Sequence, residues 1–72
     1  MPEPKVQAAP PRCSQSLIVS TVAAYARNFP HLGPPMFHAD DVLPMLTGDD
    51  THFETASALL EAGRVFYPDG AP

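Results

Sequence analysis

The chain has 72 residues, with 8 carboxylates against 4 basic side chains, 10 prolines and a single cysteine. So short a chain is one domain with a small core, and one cysteine excludes an internal disulfide. No apolar run approaches the roughly 18 residues of a membrane span, and the first residues lack the apolar centre of a secretory signal; a reducing, cytoplasmic setting is the expectation.

The distribution of charge is more informative than its sum. Up to Ser16 the chain carries Lys5 and Arg12 against Glu3; from Leu17 onward it carries only Arg27 and Arg64, against Asp40, Asp41, Asp49, Asp50, Glu54, Glu61 and Asp69. Phosphate backbones are bound by lysines and arginines that displace counterions, so the foldable part is poorly furnished for nucleic acid.

Residues 1–14 hold Pro2, Pro4, Pro10 and Pro11 with few bulky apolar residues. Such a segment cannot bury enough surface to offset its ordering entropy, and a disordered tail is expected there, with the domain at 15–72. Cys13 falls in that tail and reads as an incidental exposed thiol. Ser14 or Ser16 can cap a first helix over 16–28, in which Ile18, Val22, Tyr25 and Phe29, flanked by Val19 and Ala26, recur at helical spacing. Pro30 stops it, and 31–35 is a rigid loop with two consecutive prolines.

Met36 and Phe37 form a short strand, after which His38 stands at a cap position and Asp40 and Asp41 lie in a first helical turn, favourable to the positive helix end. This second helix is brief, over 39–46, with Val42, Leu43 and Leu46 inward and a kink or 3₁₀ turn imposed by Pro44. Gly48 permits a left-handed cap, Asp49 and Asp50 make the turn, and Thr51 and Glu54 have the spacing of a capping box. The third helix, over 52–62, buries Phe53, Ala56, Ser57 and Leu60 with Leu59 beside them, and Gly63 ends it. Val65, Phe66 and Tyr67 are β-prone, and Pro68, Asp69 and Gly70 are a turn.

The order loop, short strand, helix, glycine turn, helix, strand, with Phe-His-Ala-Asp-Asp-Val-Leu opening helix two and Leu-Leu-Glu-Ala-Gly-Arg-Val closing helix three, resembles a winged helix-turn-helix domain over about residues 17–70. The resemblance implies a mainly α fold: three helices, a minimal two-stranded element (Met36 and Phe37 against Val65, Phe66 and Tyr67) and a disordered N-terminal tail. It also implies a third helix that enters the major groove and a following wing that touches the backbone. Thr51, His52, Thr55 and Arg64 are the DNA contacts of that reading. Helix three has no Arg, Lys, Asn or Gln to read base edges, Asp49 and Asp50 stand where a phosphate would sit, and the chain stops after one wing strand.

The preferred expectation is therefore a non-catalytic protein-interaction module, a small regulator or inhibitor whose acidic helix-turn-helix face, Asp49, Asp50, Thr51, His52, Glu54 and Thr55, meets a basic protein surface. A small DNA-binding regulator is the alternative, and the oligomeric state stays open. His31, His38, His52, Asp40, Asp41 and Cys13 form no paired metal-ligand spacing, so no metal or cofactor is expected. No serine or cysteine stands in a nucleophile motif, and no enzyme is expected. Met36, Phe37, Met45, Phe66 and Tyr67 either complete the core or form an apolar docking patch.

Overall fold

A computed structural model describes residues 9–69 of the chain. It is mainly helical: α1 (Gln15–Asn28), β1 (Phe37–His38), α2 (Ala39–Val42), a 3₁₀ turn (Leu43–Thr47), α3 (Asp50–Glu61) and β2 (Val65–Phe66). Residues 1–8 of the expected tail, and Gly70 of the expected final turn, lie outside the described residues.

Local chemistry sets the limits of α1. Ser14, in extended conformation, accepts the Leu17 N–H at 3.1 Å, and Phe29, just before Pro30, closes the last turn by donating to the Tyr25 carbonyl at 2.8 Å. Of the expected apolar stripe only Ile18 is fully buried; Val19 and Val22 pack partly against the core, and Phe29 is 45% exposed. The core lies towards the N-terminal half of this helix.

The second helix stays short for the reason expected. Pro44 lacks an N–H, and from Leu43 the chain tightens into a 3₁₀ turn. The consequence for packing differs from the expectation. Ala39, Val42 and Met45, at intervals of three, lie on one side, the tightened 3₁₀ segment bringing Met45 into line with Val42, and are buried at 3%, 0% and 0% exposure, whereas Leu43 is 39% exposed. Met45, a candidate for a docking patch, belongs to the core.

Three expectations about α3 are corrected. The capping residue is Asp49, which accepts the His52 N–H at 2.9 Å, so α3 begins at Asp50 and the Thr51/Glu54 capping box does not form. Aspartate caps as well as threonine, and beginning two residues earlier adds helical hydrogen bonds. Gly48 is extended (φ −86°, ψ −157°) rather than left-handed; what it supplies is room, because a Cβ there would stand 2.8 Å from His52 Nδ1. The buried side of α3 is Ala56 and Leu59, both 0% exposed, while Phe53 and Leu60 are 50% and 37% exposed. The helix ends as expected at Gly63 (φ +70°), with Gly63 donating to the Leu60 carbonyl and Arg64 to that of Leu59.

β1 and β2 are parallel, with Phe37 opposite Val65 and His38 opposite Phe66, one residue later on the first strand than expected. A parallel pair needs a long crossover, and α2, the 3₁₀ turn and α3 provide it. These strands are therefore not a hairpin, and among the described residues no hairpin follows α3. Ile18, Phe37, Ala39, Val42, Met45, Ala56, Leu59 and Val65 make one core, on which α1, α2, α3 and both strands converge. Each fully buried aliphatic side chain there contributes about 1.5–3 kcal/mol.

Candidate functional site

The six residues expected to bind a partner span the N-cap and first turn and a half of α3, but they do not share one face. Asp49, Asp50, Thr51 and Glu54 are exposed. His52 and Thr55 turn towards the body of the domain and are half-buried, His52 against the Gly48 backbone. The position between them, Phe53, is exposed instead, and seven residues on, two helical turns later, so is Leu60. The outward side of α3 thus combines an aromatic and a leucine with Asp50, Glu54 and Glu61, all exposed, and α3 carries no lysine or arginine. In the sequence, Phe53 and Leu60 share one expected buried face with Ala56 and Ser57; the structure buries Ala56 and the flanking Leu59 and leaves Phe53 and Leu60 exposed.

The other acidic pair, Asp40 and Asp41, is arranged quite differently. Arg12, expected in the loose tail, donates Nε–H to Asp41 Oδ2 at 2.9 Å and Nη2–H to Oδ1 at 2.8 Å, and the Cys13 backbone N–H donates to the same Oδ2 at 2.9 Å. These bonds, led by that from Arg12, hold the Asp41 carboxyl below its ordinary pKa and raise that of the Arg12 guanidinium, whose hydrogen bond to Asp41 is again the largest cause. The side chain of Asp41 is only 11% exposed, whereas Asp40, 4.0 Å from Arg12 Nη1, remains 60% exposed. Asp41 is therefore a structural anchor, and the end of the N-terminal segment is docked on α2. Cys13 packs partly against the core. His38 caps α2 by accepting the Asp40 N–H at 3.4 Å, and its ring meets Phe66 edge-on.

Arg64, the cation of the DNA reading, folds back over the 31–35 loop: Nη2 donates to the Leu32 carbonyl at 3.4 Å, and Nε is buried without a hydrogen-bond partner. With Arg12 held by Asp41, Arg27 near the end of α1 is the remaining arginine among the described residues. Of the other apolar candidates, Met36 is exposed, Phe37 is buried, and Phe66 and Tyr67 are half-buried.

A second feature was not anticipated. Tyr25, Ala26 and Phe29 of α1, Pro30 and Pro34 of the loop, and Ala58 of α3 line an apolar groove of about 260 Å³. The Tyr25 and Phe29 rings lie 5.2 Å apart and tilted along its wall. The α1 stripe predicted to be core thus serves two purposes: its first half is core and its second half is groove.

Among the described residues no three of His, Cys, Asp and Glu gather so as to hold a metal ion, and no described helix is long and apolar enough to cross a membrane. No protein-family model, curated protein or solved structure matches this chain.

Proposed function

We propose that this chain is a non-catalytic protein-interaction module, a small cytoplasmic regulator or inhibitor that uses α3 to engage a basic protein surface. One observation carries the reading: the outward side of α3 exposes Phe53 and Leu60 among Asp49, Asp50, Glu54 and Glu61, with no arginine or lysine on the helix. Exposed apolar side chains at helical spacing favour association, since covering them is worth about 25 cal/mol per Å². Surrounding carboxylates orient and accelerate docking on a surface of opposite sign. The fitting partner is a protein groove with an apolar floor and a Lys/Arg rim, occupied by a helix through anchors two turns apart. Asp49, Asp50, Thr51 and Glu54 keep their proposed role, Phe53 and Leu60 join them, and His52 and Thr55 act as supports.

The duplex-binding alternative, built on the resemblance to a winged helix-turn-helix, draws less support: Arg12 is held by Asp41, and Arg64 reaches the Leu32 carbonyl. The two readings separate with the purified chain as bait. The expected result is a specific protein retained by the native chain and lost with both Phe53→Glu and the double change Asp49→Lys/Asp50→Lys, with no shift of duplex DNA at low salt. Duplex binding that weakens steeply with salt and disappears in Arg64→Glu would replace this proposal with the DNA-binding one.

A further inference from the structure

The acidic side of α3 has apolar surface on both flanks. At about 100° per residue, Phe53 and Leu60 fall on one flank of the ridge formed by Asp50, Glu54 and Glu61, and Ala58 falls on the other, about 40° round from Glu54 and about 60° from Glu61. Ala58 is also the α3 wall of the apolar groove, whose other walls are Tyr25 and Phe29 of α1 and Pro30 and Pro34 of the loop. The groove thus opens beside two exposed carboxylates.

We propose that this groove binds a proline-rich protein segment in the polyproline II conformation, whose lysines or arginines pair with Glu54 and Glu61. The proposal rests on the reading of α3 as the face that meets a basic protein, and it names the segment that the protein presents. Three features select this occupant. The lining is aromatic and prolyl, with the Tyr25 and Phe29 rings 5.2 Å apart, the kind of surface on which polyproline II ligands dock. Glu54 and Glu61 are offset by about 10.5 Å along α3, close to the roughly 9 Å between residues three apart in polyproline II, which share one edge. A segment with a basic residue at every third position therefore meets both carboxylates while its prolines lie in the groove. A helix, about 10–12 Å across, is too wide for a groove of about 260 Å³. The nearby cations leave the acidic edge free. Arg27 lies at least about 100° round α1 from the lining residues Tyr25, Ala26 and Phe29. Arg64 sits at the Gly33 end, its Nη2 bonded to the Leu32 carbonyl, and directs the cations of the segment towards α3.

Titration of the full isotope-labelled chain with a capped synthetic peptide of repeated Arg-Pro-Pro triplets, followed by amide chemical shifts, tests this. Saturable binding is expected, with the shifts concentrated at Ala26, Phe29, Gly33 and Ala58. The double change Glu54→Lys/Glu61→Lys and, separately, Phe29→Ser should each raise the dissociation constant roughly ten-fold or more, the first by reversing the rim charge and the second by removing a stacking ring. All three positions are exposed, so far-ultraviolet circular dichroism should show unchanged helix content. An Arg-Gly-Gly peptide of equal charge lacks the preformed conformation and should bind roughly ten-fold more weakly. Phe53→Glu, on the other flank of the ridge, should leave peptide binding as it is while abolishing capture of the basic partner. The proposal is overturned if the Arg-Pro-Pro peptide does not bind at millimolar concentration, if the Arg-Gly-Gly peptide binds equally well, or if either groove variant leaves binding unchanged; a partner still captured through Phe53 would then preserve the role of α3 without the groove. It is also overturned if the peptide binds only once residues 1–8 are deleted, which would assign the groove to the chain's own N-terminal segment.

Discussion

Two aspartate pairs, offset by nine residues, stand at two helix starts, and the domain treats them in opposite ways. At α2, Asp41 is bound by the Arg12 guanidinium and the Cys13 N–H, and the adjoining Val42 and Met45 lie in the core. At α3, Asp49 merely caps its own helix, Asp50 is exposed, and the adjoining Phe53 faces solvent. Both pairs suit the positive end of a helix dipole. The difference lies in what arrives from elsewhere in the chain: a cation and an N–H reach the first pair, and among the described residues no distant segment bonds to the second. A carboxylate at a helix start becomes structural when a distant segment neutralises it, and it remains available for recognition when none does.

Changes made at matching places in the two regions should expose this asymmetry. The largest effect is expected from Met45→Ala, which empties a fully buried site and should cost about 2–5 kcal/mol in urea or thermal unfolding, whereas Phe53→Ala should stay within about 0.5 kcal/mol. Gly48→Ala, in the turn joining the two regions, places a methyl against His52 Nδ1 and Cβ and should cost about 1–3 kcal/mol. A double-mutant cycle with His52→Ala should recover the part of that loss due to the imidazole, because alanine keeps the Cβ. Asp49→Ala removes a cap and should cost about 1 kcal/mol, while Asp50→Ala, which among the described residues loses no side-chain hydrogen bond, should cost less, about 0.3–0.5 kcal/mol from the helix dipole.

The smallest expected effect is electrostatic, and it has a definite sign. Asp41 has a folded pKa below its unfolded value of about 3.9. Its contribution to stability is therefore complete above that unfolded value and disappears as pH falls through the folded one. Asp41→Asn should flatten the acid limb of a stability-against-pH curve. Because the Arg12 side chain is 60% exposed, raising the salt concentration should shrink the difference between native and Asp41→Asn proteins.

The limits of α1, the 3₁₀ turn at Pro44, the stop at Gly63 and the existence of a strand on either side of the helix pair are readable from the chain alone. Each depends on a hydrogen bond or steric restriction within a few residues: the Ser14 cap, the missing Pro44 N–H, and the φ of +70° that glycine tolerates at Gly63. The tertiary structure decided the rest. Local periodicity places Phe53, Ala56 and Leu60 on one inward face, but it does not fix where that face is centred; packing against α1 and the 3₁₀ turn centres it on Ala56 and Leu59 and leaves Phe53 and Leu60 exposed. Nor does periodicity foresee that tightening into a 3₁₀ turn carries Met45, rather than Leu43, into the core. The bond between Arg12 and Asp41 joins residues 29 apart in sequence, and no pattern within either segment announces it. Short-range forces shape each segment, but burial and charge pairing depend on which segments meet, and that is a property of the assembled chain.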